Sequence, residues 1–172
     1  MAVAISYRER YPFGTDAYDS ADEHWHQVCV CEFVRKEYPA IYKRLFAIPN
    51  GGHRNRVEAA NLKMEGLKPG VTDLELASPV FVPAQGFNAV ERLYCGLFLE
   101  MKKPQRSYGT SEAQEAFMQE MRGAGYATAV AYGWYQAVGI ILYYLGEISL
   151  SEAQRRFEVN MTLETFGEGW KR

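Results

Sequence analysis

The sequence predicts an α/β fold with a central mixed β-sheet flanked by helices on both faces. Three observations lead there. Apolar residues fall in the order helix, strand, helix, strand, strand, helix, strand, helix, the alternation of a sheet layered with helices. Proline and glycine stop several of these runs, at Pro39, at Pro49 to Gly52 and at Gly66. A chain of 172 residues, 48% hydrophobic and 23% charged, is long and apolar enough for one domain with a buried core.

Residues 1–20 lack periodicity and are expected to form an irregular arm. From Ala21 the residues Trp25, Val28, Cys29, Phe33 and Val34 recur at helical spacing behind Ser20 as N-cap, and Pro39 stops that helix near Tyr38. Arg44 to Ile48 reads as a short strand closed by Pro49-Asn50-Gly51-Gly52. A second helix is expected from about Arg54 to Glu65, ending at Gly66. Asp73 to Leu76 reads as a strand. Ser78 to Arg92, with Pro79, Pro83 and Gly86, reads as a loop or hairpin insertion, and Tyr94 to Met101 as the strongest strand. Ser111 opens a helix with Phe117, Met118 and Met121 on its apolar side, closing at Gly123 or Gly125. Tyr126 to Tyr132 is a further strand and Trp134 to Leu145 a further helix. The polar stretch 146–172 reads as a short helix and tail.

A net charge of −2 hides any local patch and counts only weakly against a basic surface for nucleic acid. Cys29, Cys31 and Cys95 lie in apolar surroundings without metal-ligand spacing, which predicts reduced, buried thiols and an intracellular, cytoplasmic protein. The opening residues form no signal peptide, because Arg8-Glu9-Arg10 interrupts a short apolar run. Ala137 to Leu145 is too short to span a bilayer, so no membrane partner is expected.

The chemistry concentrates in Asp73, Glu100 and Lys102. Glu100 and Lys102, two apart on an apolar strand, point to one face, and Asp73 joins them if the two strands are neighbours. Two carboxylates with an open side suit Mg²⁺ or Mn²⁺, and a neighbouring lysine can position or activate the attacking water and stabilise charge on a phosphoryl oxygen. An exposed Glu-x-Lys is, by itself, more often an ion pair that contributes little. In the loop after the first strand, Gly51 and Gly52 allow close backbone approach, and Arg54 and Arg56 follow at a helix start. That combination suits a clamp on a phosphate backbone, or else a plain glycine turn.

Four segments in order carry a family resemblance. They are Phe46 to Arg54, Glu58 to Asp73, Gly96 to Pro104 with its Glu100-Met101-Lys102, and Ser111 to Gln114 with the later Ala124-Gly125-Tyr126. In these the chain resembles the VRR-NUC nucleases, a branch of the PD-(D/E)XK superfamily, of the stand-alone phage and bacterial type. The resemblance covers about Ala21 to Leu145. It divides the chain into an arm (1–20), a nuclease domain (21–145) and a C-terminal extension (146–172), and implies a restriction-endonuclease-like core.

The resemblance implies that Asp73 and Glu100 are metal carboxylates, Lys102 the superfamily lysine and Gln114 the glutamine that faces the site. Glu23, four positions before Gln27, would be a further metal or water ligand, and the Met101 backbone carbonyl another. It also implies nucleic-acid contacts from Asn50, Gly51, Gly52, His53, Arg54, Arg56 and Lys103. The family usually has proline before the aspartate, where this chain has Thr72. The implied activity is Mg²⁺- or Mn²⁺-dependent endonucleolytic hydrolysis of DNA. Branched DNA or a Holliday junction is the expected substrate and a homodimer the expected assembly, in a protein encoded by a phage and acting in a bacterial host. An inactive nucleic-acid-binding or scaffold protein on the same fold is the alternative. An enzyme of nucleotide or carbohydrate metabolism is disfavoured by the missing glycine-rich nucleotide motif.

Overall fold

A computed structural model describes residues 6–49, 56–82, 92–104 and 109–159. Its first elements are two short helices, α1 (Tyr7–Arg10) and α2 (Asp16–Ser20), where the sequence predicts an irregular arm. Four- and five-residue helices are too short to show periodicity, but both carry N-caps: Ser6 with Glu9 in a capping box, and Thr15. Packing holds them down. Tyr7 and Tyr11 stack on Trp25, Arg8 reaches Glu32 and Glu37, and Tyr18 is buried in the core.

Helix α3 (Glu23–Glu37) starts behind Asp22, two residues later than predicted. Ser20 belongs to α2, where its hydroxyl donates to the Asp16 carbonyl. The helix ends at Tyr38 as expected. Pro39 then opens a further short helix, α4 (Pro39–Tyr42), because its fixed φ suits a first turn. The chain continues through β1 (Leu45–Ala47), α5 (Arg56–Met64), β2 (Leu74–Leu76), β3 (Val80–Val82), β4 (Arg92–Tyr94) and β5 (Leu97–Lys102). It closes with α6 (Glu112–Gly123), β6 (Ala127–Tyr132), α7 (Trp134–Leu145) and α8 (Leu150–Phe157).

The main sheet has the order β1-β2-β5-β6, antiparallel except for the parallel β5–β6 pair that α6 connects. A mixed sheet is therefore present, as predicted. The predicted Tyr94–Met101 strand is split in two. Tyr94 pairs with Val80 in a separate β3–β4 hairpin. The chain then crosses to β5 at Gly96, where a Cβ would press on the Leu76 carbonyl. The exposed Cys95 sits at that crossing, against the expectation of a buried thiol; all three cysteines are free.

One face of the sheet, with Leu74, Leu76, Leu97, Leu99, Met101 and the alanines of β6, packs on α3 and α7 and forms the core. The opposite face carries Phe98, Glu100, Lys102 and Thr128 and is covered by α6. There Phe98 meets Phe117 and Tyr126, and Arg122 donates to Thr128. His26 of α3 is fully buried, and its Nδ1 accepts the Trp134 N–H at 3.2 Å, capping α7. Burial holds its pKa at about 4, so it is neutral in this role. No helix among the described residues is long and apolar enough to cross a membrane.

Helix α8 closes over α7 at Gly139, where any Cβ would overlap Phe157 and Val159. Gly139→Ala is expected to cost about 1–3 kcal/mol by overpacking. Limited proteolysis of this variant should release α8 before the sheet is cut, and denaturant unfolding checks the loss.

Candidate active site

The site forms where β5 runs out. Alternation along the strand sends Glu100 and Lys102 to the α6 face while Leu99 and Met101 enter the core. β2 begins at Leu74, opposite Leu99, so Asp73 lies one step beyond the paired stretch, across from Glu100. Met101 has no ladder partner in β2, and its N–H donates to Asp73 Oδ2 at 2.8 Å. In an extended strand the carbonyl of a residue lies on the same side as its N–H, so the Met101 carbonyl opens toward Asp73 too. One backbone residue thereby fixes the aspartate without using a side chain.

Gln114 arrives from the first turn of α6. Its backbone N–H donates to Ser111 Oγ, and its Oε1 accepts the Ser111 N–H at 2.9 Å, a reciprocal cap. With Oε1 so engaged, Nε2 is turned to Glu100 Oε1. The Lys102 ammonium donates to the same Glu100 oxygen at 2.8 Å and to Gln114 Oε1 at 3.4 Å. Glu100 Oε1 therefore takes two donors, while its buried Oε2 has no hydrogen-bond partner. Gly70 aligns the Asp73 loop with this helix: at φ +81° its Cα lies directly against the Ala113 carbonyl.

Electrostatics follow from burial. Glu100 is 2% exposed, and desolvation lifts its carboxyl to about 7; the Lys102 hydrogen bond opposes the rise, and the Asp73 and Glu23 charges reinforce it. Desolvation also raises Asp73, against the lowering effect of the Met101 N–H and Lys102. Burial alone would lower Lys102, but the hydrogen bond and charge of Glu100, with Glu23 and Asp73, outweigh it and hold the ammonium protonated.

A pH dependence of stability results. The folded state holds the Glu100 proton up to about pH 7, whereas the unfolded chain releases it near 4.5. This contribution is complete below the unfolded value and is lost as pH rises through that window, by up to about 1.4 kcal/mol per pH unit. Asp73, also raised, acts with the same sign. Glu100→Gln should flatten this slope, which urea midpoints at about pH 5 and about pH 7 will read.

The structure brings Asp73, Glu100, Lys102, Gln114 and the Met101 backbone together. Glu23, the first residue of α3, is half-buried and near enough for its charge to act on Glu100 and Lys102. Among the described residues no group of three or more His, Cys, Asp or Glu side chains forms a ready metal cage. Lys103 binds Asp22 at 2.7 Å and so ties the start of α3, with Glu23, to the end of β5. Asn50, Gly51, Gly52, His53 and Arg54 lie outside the described residues. Arg56 opens α5, but its side chain is outside them. Thr72 is fully buried, and its hydroxyl donates to the Leu74 carbonyl at 3.4 Å, a bond that a proline there would not make. The spacing Ser111-x-x-Gln114 and the glycine before Asp73 were the available sequence signals for the bracing role of Ser111 and Gly70.

One buried and one half-buried carboxylate with a charged lysine at the end of a mixed sheet, with helices on both faces, define a restriction-endonuclease-like α/β core. No family model and no curated protein matches the chain. A solved structure described as a VRR_NUC domain protein does, at 25% identity and a TM-score of 0.56, over 74% of this chain and 90% of that one. The chain has the VRR-NUC domain fold, that of a nuclease-domain family.

Proposed function

We propose that this chain is a divalent-metal-dependent deoxyribonuclease with Asp73, Glu100 and Lys102 at its centre. The observation that carries the reading is the divided carboxylate of Glu100. One oxygen is saturated by Lys102 and Gln114, and the other is buried without a partner, a costly arrangement unless a cation completes it. An all-oxygen set of Asp73, Glu100 and the Met101 carbonyl, with Glu23 behind it, fits Mg²⁺ or Mn²⁺. When bound, such an ion would polarise the scissile phosphate and acidify the attacking water. Gln114 keeps Glu100 in one rotamer through its two-ended contact with Ser111. Lys102, held protonated by Glu100, offers positive charge to a developing phosphoryl oxyanion.

The finer reading is an endonuclease for branched DNA, a Holliday-junction resolvase acting as a homodimer, supported by the likeness to stand-alone family members. The test incubates the protein with a four-way junction, a flap and plain duplex, with Mg²⁺, with Mn²⁺ and with chelator. Cleavage that needs metal and drops at least about 10²-fold in Asp73→Ala is the expected result. Preference for flaps would retain the nuclease and remove the resolvase. Binding without cleavage in either metal would select the inactive binding protein instead.

A further inference from the structure

A cavity of about 340 Å³ lies beside the acidic site, on the β6 side, and none of the chemistry above uses it. Its position is set by the parallel register. Tyr132, in its wall, is the β6 partner of Lys102, and the next residue, Gly133, donates its N–H to the Lys102 carbonyl at 2.8 Å. Pro104, two residues past Lys102, lines the cavity as well. The opening thus lies one strand over from Lys102.

The lining is selective. Phe13 and Tyr132 supply accessible aromatic surface over a floor of the buried Tyr18 and Phe157, and the exposed Asp19 and Glu158 are its charged residues. No lysine or arginine is among the described lining residues, so the cavity repels phosphate while offering stacking faces and carboxylate acceptors. A flat ring bearing N–H donors satisfies both. The wall is also braced. Gln136 accepts the Tyr132 N–H at 2.8 Å and donates to the Glu158 carbonyl at 3.2 Å, across the two elements that frame the cavity. Glu158 enters the wall as the left-handed C-cap of α8, its N–H donating to the Ala153 carbonyl. Phe13 is seated by stacking on Tyr135 at 4.2 Å and by an edge contact with Tyr18.

We propose that this cavity receives one unpaired nucleobase with an exocyclic amine (adenine, cytosine or guanine) from the DNA strand held at Lys102. The base stacks on the aromatic wall, and its amine donates to Asp19 or Glu158. This rests on the nuclease reading for the source of the base, while the cavity's chemistry stands apart from catalysis.

Two measurements on the full chain without metal test it. In titrations with adenosine, cytidine, guanosine and thymidine followed by NMR, the three amine-bearing nucleosides should bind about tenfold more tightly than thymidine, the worth of one charge-assisted hydrogen bond. Two duplexes, one with a single unpaired adenine and one with an abasic site at that position, are then compared by fluorescence anisotropy. The wild type should favour the adenine duplex by more than about tenfold, and the Asp19→Asn/Glu158→Gln double variant should lower that ratio about tenfold, leaving the preference that stacking supplies. Thymidine binding as well as adenosine would overturn the proposal, reducing the cavity to unselective stacking. Equal affinity for the two duplexes would overturn it even where nucleosides bind, because the ligand would then be a free nucleoside. Neither readout requires cleavage, so failure of the nuclease reading appears separately, in the junction assay.

Discussion

Lys102→Met is expected to lower DNA cleavage at least about 10²-fold and to destabilise the fold by about 3–5 kcal/mol at about pH 8. Both effects have one origin. The Lys102 ammonium is 2.8 Å from Glu100 Oε1, and the two side chains are 10% and 3% exposed. Methionine keeps the packing of the lysine stem but lacks its terminal nitrogen, and leaves an ionised carboxylate buried with only the Gln114 amide as donor. The penalty should shrink at about pH 5, where Glu100, already pushed up to about 7 by burial, carries a proton and needs no cation. Denaturant unfolding of wild type and variant at the two pH values reads this directly. An equal penalty at both would show that Lys102 stabilises through packing alone, and unchanged cleavage would remove it from the site.

Gly70→Ala should cost about 3 kcal/mol, the sum of left-handed strain and overpacking. Gly70 has φ +81°, and an added Cβ would overlap the backbone of Ala113 and lie 2.8 Å from the Gln114 nitrogen, atoms that cannot rotate away. Relief requires the first turn of α6 to shift, which carries Gln114 off Glu100 and should lower cleavage together with stability. Gly66 supplies the internal control: φ is +103°, but nothing lies within 4 Å of its added Cβ. Gly66→Ala should therefore show strain alone. Equal losses in the two variants would mean that the close approach to α6 contributes nothing.

Much of the fold was legible because it is written locally. Helices α3, α6 and α7 follow from spacing and from their stops, and Ser111 was readable as a cap. The misses have local causes as well. A strand of alternating and apolar residues from Tyr94 to Met101 gives no warning that Gly96 must pass against the Leu76 carbonyl, which divides it between two sheets. The two short N-terminal helices are stabilised by Trp25 and the core more than by their own sequence.

For the site, the sequence alone determined which groups carry charge, Asp73, Glu100 and Lys102, and that Glu100 and Lys102 share a face, since alternation in a strand is a property of consecutive residues. Tertiary structure decided how those charges are divided. The bond from Met101 to Asp73 spans 28 positions and depends on β2 lying next to β5 in one register. The partnership of Glu100 Oε1 with Lys102 and Gln114, which leaves Oε2 alone, depends on where the crossover helix sets its first turn. The capacity to ionise is a property of a side chain, whereas an unpartnered, desolvated oxygen is a property of everything packed around it.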